Sequence, residues 1–277
     1  MNLSEFVNDV LLWCVTLGAY AEKVQDHAPS YLSKTGSHVF SRSLTSSDLA
    51  IERFIEVALL GKYPGVVFLG EESERSLNKE FFPTEGEYVV SLDPINHTSY
   101  YQAGESQYEI IVTLSYRGRV QCAICYQPAF KRAFIALEGK AYVASAMDIQ
   151  AEKWDANEFQ VPQSASEEVL TINDGSLTNS LAAVCCPLDA IETYLQSNRT
   201  VGMSDILSGN IIGFAKRHAH LRDWIAVAYI VYCAGGSATN FSGVDFSWQY
   251  NHEHCAEELL VTNHKAFHSK LLEVLSN

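Results

Sequence analysis

The sequence predicts a mixed α/β fold with long antiparallel stretches, organised in two halves that meet near residue 150. Three observations predict it: two amphipathic helical patterns near the N-terminus, several short β-type runs before residue 150, and a second half that alternates strand and helix signals. A chain of 277 residues is long enough to bury a substantial core. We therefore expect an N-terminal half over residues 1–150 and a C-terminal half over residues 151–277.

Two helices are predicted near the N-terminus. Residues 3–24 place apolar side chains at intervals of three and four, which gives a helix one apolar face. Residues 48–60 repeat the pattern, and Ser46 or Ser47 is the expected N-terminal cap.

The rest of the first half consists of β-type runs bounded by turn residues. Strands are predicted over residues 66–69, 88–92, 108–114, 120–126, 130–137 and 140–145. Glu71 and Asp93 therefore follow the ends of strands, where α/β folds commonly place their chemistry. The polar residues 146–168 predict a loop or a crossover between the halves.

The second half is predicted to mix strands and helices. Strands are expected over residues 169–172 and 209–214, and helices over residues 176–184, 188–196 and 223–232. Asp223 opens the last helix, and Gly235-Gly236 is its expected C-terminal stop.

Composition and charge exclude several classes of protein. The formal net charge of −14 argues against a nucleic-acid surface or a polybasic membrane anchor, because anionic surfaces repel an acidic protein. The N-terminus carries Glu5 and Asp9 and lacks the basic start of a signal peptide. The longest apolar run, residues 224–233, is about half of the roughly 20 residues that a membrane helix needs. We therefore predict a soluble cytoplasmic protein with reduced thiols, in which Cys185 and Cys186 are buried.

Three acidic residues at the ends of predicted elements form the most informative pattern. They lie in Gly70-Glu71-Glu72-Ser73, in Asp93-Pro94-Ile95-Asn96-His97-Thr98, and at Asp223 ahead of Ala234-Gly235-Gly236. Carboxylates brought together in this way can hold hard cations against a phosphate. Proline fixes φ after Asp93, so we expect a sharp turn that aims the Ile95 carbonyl inward. Alone, the first motif is more typical of a solvated helix start, the second of an Asp-capped turn and the third of a helix cap, and only their combination carries the hypothesis.

The combination resembles the magnesium-dependent inositol monophosphatase family. Further likenesses lie in Thr45-Ser46-Ser47-Asp48-Leu49-Ala50-Ile51-Glu52, in Lys62-Tyr63-Pro64, in Cys125-Tyr126-Gln127-Pro128 and in Asp223-Trp224-Ile225-Ala226. The resemblance covers roughly residues 35–245. It implies a layered αβαβα fold, a homodimer, and hydrolysis of a small phosphorylated metabolite such as an inositol monophosphate or a sugar phosphate.

The resemblance also implies an activating metal and a positioned water. Glu71, Asp93 and the carbonyl of Ile95 would hold Mg²⁺, or alternatively Mn²⁺. Glu71 and Thr98 would orient the attacking water, with Asp48 hydrogen-bonded to Thr98.

A second metal is implied at Asp93, Asn96 and Asp223, but the central motif departs from the family there. Asn96 replaces an aspartate, so the site keeps a carbonyl oxygen and loses a negative charge. A loss of a few kcal/mol would weaken metal binding by about ten- to a thousandfold. His97 replaces a glycine, and it either obstructs the phosphate cradle, donates a hydrogen bond to phosphate, or ligates a softer metal.

The expected substrate-binding residues are Asn96, His97, Thr98 and Lys216. Lys216 stands seven residues before Asp223, where inositol-reading members have a glutamate. The basic run of residues 216–222 either receives a second phosphate or a carboxylate, or is a solvated connecting segment. His252-Glu253-His254 is interpreted as surface polar residues rather than a zinc site.

Three hypotheses about function remain open. The first is a phosphomonoesterase that uses metal-activated water. The second is a 3′(2′),5′-bisphosphate nucleotidase-like phosphatase, and the third is a weakened or inactive family member that binds a phosphorylated ligand. A small phosphorylated metabolite is the expected partner, and the third hypothesis leaves a protein partner open as well. None of the three involves nucleic acid or a membrane.

Overall fold

The chain folds into helices packed on two main sheets. The structure is a computed structural model that describes residues 1–32, 43–248 and 255–275. Residues 35–42, where the family resemblance begins, and His252 to His254, interpreted above as surface residues, lie outside the described ranges. Within those ranges the helices are α1 (Leu3–Val24), α2 (Ser46–Lys62), α3 (Thr98–Gln102), α4 (Ala146–Gln150), α5 (Leu177–Leu181), α6 (Ala190–Ser197), α7 (Leu221–Cys233) and α8 (Lys265–Leu275). The strands are β1 (Ser30–Leu32), β2 (Ser43–Thr45), β3 (Val67–Gly70), β4 (Tyr88–Asn96), β5 (Glu109–Tyr116), β6 (Arg119–Gln127), β7 (Arg132–Leu137), β8 (Lys140–Ser145), β9 (Val169–Ile172), β10 (Cys186–Asp189), β11 (Gly213–His220), β12 (Ser237–Thr239) and β13 (Cys255–Thr262).

The sheets are stacked with helices between and outside them. The six-stranded sheet has the order β3-β4-β5-β6-β7-β8, and the five-stranded sheet has the order β10-β9-β11-β13-β12. Helices α1 and α2 pack on the outer face of the larger sheet, whereas α5 packs on α8 beyond the smaller one. Helix α7 contacts strands of both sheets. These layers confirm the αβαβα fold.

Helix α7 is apolar around its whole circumference because a sheet covers each side of it. Every residue from Ile225 to Val231 is buried. A helix of this kind is stable only in the interior of a protein, since its apolar surface must leave water on all sides.

The two N-terminal helices are confirmed, but the predicted cap of α2 is wrong. Thr45 caps the helix, rather than Ser46 or Ser47, and its side chain accepts from the backbone N–H groups of Ser47 and Asp48. Asp48 returns a hydrogen bond to the Thr45 backbone N–H at 2.8 Å. Thr45 adopts an extended conformation with φ −121° and ψ 166°, which the first residue before a helix requires.

Several predictions for the first half and the crossover need correction. The hairpin of β5 and β6 and the strands β7 and β8 are confirmed. Strand β4 continues to Asn96 instead of ending at residue 92. The segment 146–168 is not all loop, because Ser145 caps the short helix α4. The division near residue 150 stays a prediction, although the larger sheet ends at Ser145 and the smaller begins at Val169.

The second half differs more from the prediction. Gly209 has φ 70° and ends a 3₁₀ helix, so the strand predicted over residues 209–214 begins only at Gly213. The helix predicted over residues 188–196 begins at Ala190, after a strand and a cap from Asp189. Cys186 is exposed and Cys185 is only partly buried, contrary to the prediction that both are buried. The stop after α7 is confirmed, with φ 91° at Gly235.

Among the residues that the structure covers, none of the helices combines the length and the apolar run that a membrane crossing requires.

Candidate metal and phosphate site

Strand pairing brings Glu71 beside Asp93. Strands β3 and β4 are parallel, with Gly70 paired to Leu92. The backbone N–H of Glu71 donates to the carbonyl of Leu92 at 3.1 Å, so Glu71 lies next to the residue that follows Leu92. The two acids therefore lie side by side at the point where β3 ends.

Asp93 does not start the sharp turn that was predicted after it. Strand β4 keeps its pairing with β5 through Asn96, with a register irregularity between Asp93 and Asn96. Pro94 lies within that irregularity, and proline has no N–H to donate to the ladder. The expected turn is thus a bulge within a strand, and it changes the direction of the side chains without ending the sheet.

Asp223 joins the two acids from the first turn of α7, which packs against β4. Asp93 is only 4% exposed. Burial raises the pKa of Asp93 well above its usual value, the negative charges of Glu71 and Asp223 and a hydrogen bond with Glu71 raise it further, and Arg222 partly opposes them. Glu71 and Asp223 are therefore close enough for their charges to affect Asp93.

The residues at this site fit a hard divalent cation. All the predicted ligands offer oxygen atoms, as Mg²⁺ and Mn²⁺ prefer. The Oδ1 atom of Asp93 is buried without a hydrogen-bond partner in the described chain, and a cation would balance its charge. Within residues 1–32, 43–248 and 255–275, no group of three or more His, Cys, Asp or Glu side chains is already assembled to hold a metal. Carbonyl oxygens and waters would have to complete the coordination.

Glu52 supports the turn that carries Glu71. Its carboxylate lies against the Cα of Gly70, where an added Cβ would meet the carboxyl carbon of Glu52 at 2.4 Å. Glu52 Oε2 accepts from the backbone N–H of Glu72 at 2.9 Å. Only glycine at position 70 leaves room for this contact, which explains the glycine of the Gly70-Glu71-Glu72-Ser73 motif.

Thr98 and Asp48 form the predicted hydrogen bond. Thr98 Oγ1 is 3.3 Å from Asp48 Oδ1 and 2.8 Å from the carbonyl oxygen of Ile95. Asp48 is fully buried, and its Oδ2 accepts from the hydroxyl of Thr45 at 2.5 Å. The carbonyl of Ile95 thus competes with Asp48 for the Thr98 hydroxyl proton, and its role as a metal ligand stays a prediction.

Asn96 and His97 both bond to a residue that the sequence did not single out. Glu109 opens β5, is 1% exposed and pairs with Asn96 across the ladder. Its Oε2 accepts from Asn96 Nδ2 at 2.9 Å and from His97 Nδ1 at 3.1 Å, and its Oε1 accepts from the hydroxyl of Ser204. Burial alone would raise the pKa of Glu109, but the charge and hydrogen bond of His97 and the hydrogen bonds of Ser204 and Asn96 hold it below its usual value.

The ring of His97 packs into a defined slot beside the site. It stacks on Tyr100 with ring centroids 5.2 Å apart. A Cβ added to Gly202 would lie 2.6 Å from the ring carbon Cε1 of His97. His97 has φ 61°, the left-handed conformation that glycine adopts at low cost. The Nδ1 atom of His97 already bonds to Glu109, so only its Nε2 atom could contact a phosphate, and that contact stays a prediction.

Lys216 is buried rather than part of a solvated connecting segment, so that interpretation of the basic run is wrong. It lies on β11, is 3% exposed, and its Nζ is 4.1 Å from the centroid of the Trp224 ring. Burial lowers the pKa of Lys216 from 10.5 to about 7, and the charge of Asp189 partly opposes this. Trp224 directly follows Asp223, so Lys216 lies near the N-terminal end of α7.

Glu52 and Glu109 lie at the site but were not predicted from the sequence, and their sequence signals differ in strength. Glu52 follows Asp48 by four positions, which places both on one face of a helix and could have been recognised. Glu109 is a single acid before the apolar run Ile110-Ile111-Val112, and its partners depend on strand register.

Comparison with known proteins places this geometry among related chains. A family model described as the inositol monophosphatase family matches residues 14–277. The "Putative Nus factor SuhB" of Neisseria meningitidis serogroup B is 26% identical over 216 residues, which span 76% of this chain and 78% of that protein. The fold matches the IMPase of Thermotoga maritima with a TM-score of 0.71 at 19% identity, over 98% and 97% of the two chains. It matches an IMPase/NADP phosphatase complexed with Mg²⁺ and phosphate with a TM-score of 0.70 at 16% identity, over 99% and 96%.

Proposed function

We propose that this chain, which belongs to the inositol monophosphatase family as its motifs predicted, is a metal-dependent phosphomonoesterase of small phosphorylated metabolites. The observation that carries the proposal is geometric: strand pairing places Glu71 beside the buried Asp93, and α7, whose first turn holds Asp223, packs on the same strand. The related phosphatase solved with Mg²⁺ and phosphate supports a divalent cation as the partner of such a site.

Glu71, Asp93 and the carbonyl of Ile95 would hold the activating Mg²⁺ or Mn²⁺, and Asp93, Asn96 and Asp223 a second ion. Bound cations at such a site neutralise phosphate charge and lower the pKa of a water. The chain's own residues would position that water. Thr98 can donate its hydroxyl proton to Asp48 at 3.3 Å and accept a hydrogen bond from the water.

The direct test is phosphate release from a panel of inositol, sugar and nucleotide phosphates, with Mg²⁺ and with Mn²⁺. We expect release to require a divalent ion and to be lost in Asp93→Asn. Absence of release across the panel at high metal concentration would contradict the proposal.

The panel also tests whether the chain is a weakened relative. If the native chain is silent and Asn96→Asp with His97→Gly creates activity, the chain is a phosphate-binding relative that has lost catalysis. Substantial native activity would eliminate that alternative.

A second candidate activity, on bisphosphorylated substrates, rests on the position of Lys216 beside Trp224, at the end of α7 that carries Asp223. A buried amine beside Trp224 with Asp189 nearby can pair with a second phosphate or a carboxylate. We expect Lys216→Glu to raise KM for a 3′,5′-bisphosphate and to leave KM for inositol monophosphate within about threefold. An unchanged preference would remove this candidate. The homodimer stays a prediction.

A further inference from the structure

A buried carboxylate contacts the two residues, Asn96 and His97, at which the central motif differs from the family. Glu109 is the first residue of β5 and faces Asn96 across the β4–β5 ladder. It is 1% exposed, and none of the roles assigned above uses it. A carboxylate buried to this degree is costly unless its oxygens are hydrogen-bonded.

Donors surround both oxygens of Glu109. Asn96 and His97 donate to Oε2, and Ser204, itself buried, donates to Oε1. Three donors converging on one side chain satisfy a carboxylate better than they would a neutral acid, which must donate a proton itself. Glu109 therefore keeps a negative charge within one hydrogen bond of Asn96.

This contact fixes the orientation of the Asn96 amide. The amide nitrogen Nδ2 donates to Glu109 at 2.9 Å, so the carbonyl oxygen Oδ1, which diverges from the same carbon, is directed away from Glu109. Within the described parts of the chain, Oδ1 accepts no hydrogen bond that would compete with a cation. A flipped amide would place two oxygen acceptors against each other and is excluded by the charge of Glu109.

We propose that Glu109 is a positioning residue of the metal site, which holds the Asn96 carbonyl oxygen available to a cation and supplies, one hydrogen bond behind it, the negative charge that asparagine lacks. This inference rests on the proposed function, because it concerns a ligand of the same site. In this chain the negative charge lies on Glu109 instead of on the side chain at position 96. The hydrogen bond to Glu109 polarises the Asn96 amide and makes its carbonyl oxygen a stronger ligand.

The arrangement makes a specific statement about aspartate at position 96. With Glu109 in place, an aspartate there would put two carboxylates at hydrogen-bond distance without a donor between them. Asn96→Asp alone should therefore gain little metal affinity. Asn96→Asp with Glu109→Gln returns the charge to the ligand and lets the glutamine amide donate to it.

The test is calorimetric titration of the 277-residue chain with Mn²⁺, which does not depend on turnover. We expect Glu109→Gln to raise the Kd for Mn²⁺ by about 10- to 100-fold, the usual range for a residue that orients a ligand. The double variant should return within about threefold of the native Kd. The matched control is Ser204→Ala, which removes a bond to the same carboxylate and keeps its charge and its bond to Asn96. We expect this control to change Kd by less than about threefold.

The outcomes separate this inference from the proposed function. A native chain that takes up no Mn²⁺ overturns both. A native chain that binds Mn²⁺ with the same Kd as a folded Glu109→Gln overturns the inference alone, as does an equal loss in Ser204→Ala. If Glu109→Gln does not fold, Asn96→Asp is compared with the double variant. Tighter Mn²⁺ binding by the double variant supports the inference, and equal or weaker binding overturns it.

Discussion

Replacement of Glu52 by glutamine is expected to stabilise the metal-free chain, and more strongly as the pH rises. Glu52 is 2% exposed, and burial together with the charges of Glu56, Glu72 and Glu71 raises its pKa from 4.5 to about 8, against the opposing hydrogen bond from the Glu72 backbone. The folded chain thus holds a proton that the unfolded chain releases above pH 4.5. The free energy of unfolding is then largest below pH 4.5 and declines as the pH rises towards 8.

The magnitude follows from that difference in pKa. At about 1.4 kcal/mol for each pH unit above 4.5, this carboxyl lowers the stability of the folded chain at pH 7 by about 3 kcal/mol. Glutamine has no proton to lose, and its carbonyl oxygen can still accept from the Glu72 N–H. The variant should exceed the native chain by less than about 1 kcal/mol at pH 5 and by about 3 kcal/mol at pH 7.

The assay is urea unfolding in the presence of EDTA at several pH values between 5 and 8. The control is Glu74→Gln, which removes a glutamate that is exposed in the folded chain and should leave the pH dependence of stability unchanged. A stability difference for Glu52→Gln that stays constant between pH 5 and pH 8, or that is negative throughout, would refute the reasoning.

Three further predictions concern the site and the smaller sheet. Asp93→Asn should weaken Mn²⁺ binding by roughly 100-fold or more, yet raise the melting temperature in EDTA because it removes a buried acid; calorimetry and thermal unfolding test both. Burial lowers the pKa of His268 to about 4, so its contribution to stability is present above pH 6.5 and is lost as the pH falls through 4. Between pH 6.5 and pH 4, the free energy of unfolding of His268→Gln should therefore fall by about 3 kcal/mol less than that of the native chain, as measured by urea unfolding. If Lys216 binds a second phosphate, the preference for bisphosphates over monophosphates in kcat/KM should fall as the pH rises through about 7; a preference independent of pH would count against that role.

Local patterns predicted those elements whose signals are local. The apolar spacing of residues 3–24 gives α1 because one face must leave water, and that requirement is written in the sequence. The extension of β4 past Pro94 could not be predicted, because the pairing with β5 outweighs the preference of proline for a turn. Strand β13 and helix α8 were not predicted, because no helix or strand was proposed after residue 236.

The candidate site divides in the same way. Glu71, Asp93, Thr98 and Asp223 were predicted from motifs, each of which is contiguous in sequence. The bond between Asn96 and Glu109 was not, because it depends on the register between two strands. The burial of Lys216 was missed for a related reason, since a basic run shows its charges and does not show which of them a strand directs inward.

The central position of α7 has a consequence for how the chain unfolds. Glu71 and Asp93 lie at the larger sheet, whereas Asp223 belongs to a helix packed between both sheets, so the second ion, held by Asp93 and Asp223, would link the larger sheet to α7. Free ion at a hundred times its Kd would then add about 2.7 kcal/mol to the free energy of unfolding. A protease that cuts between Gln150 and Val169 would leave two fragments held by the packing of α7 and by the ion. Chelation should then weaken their association by about the contribution of the ion.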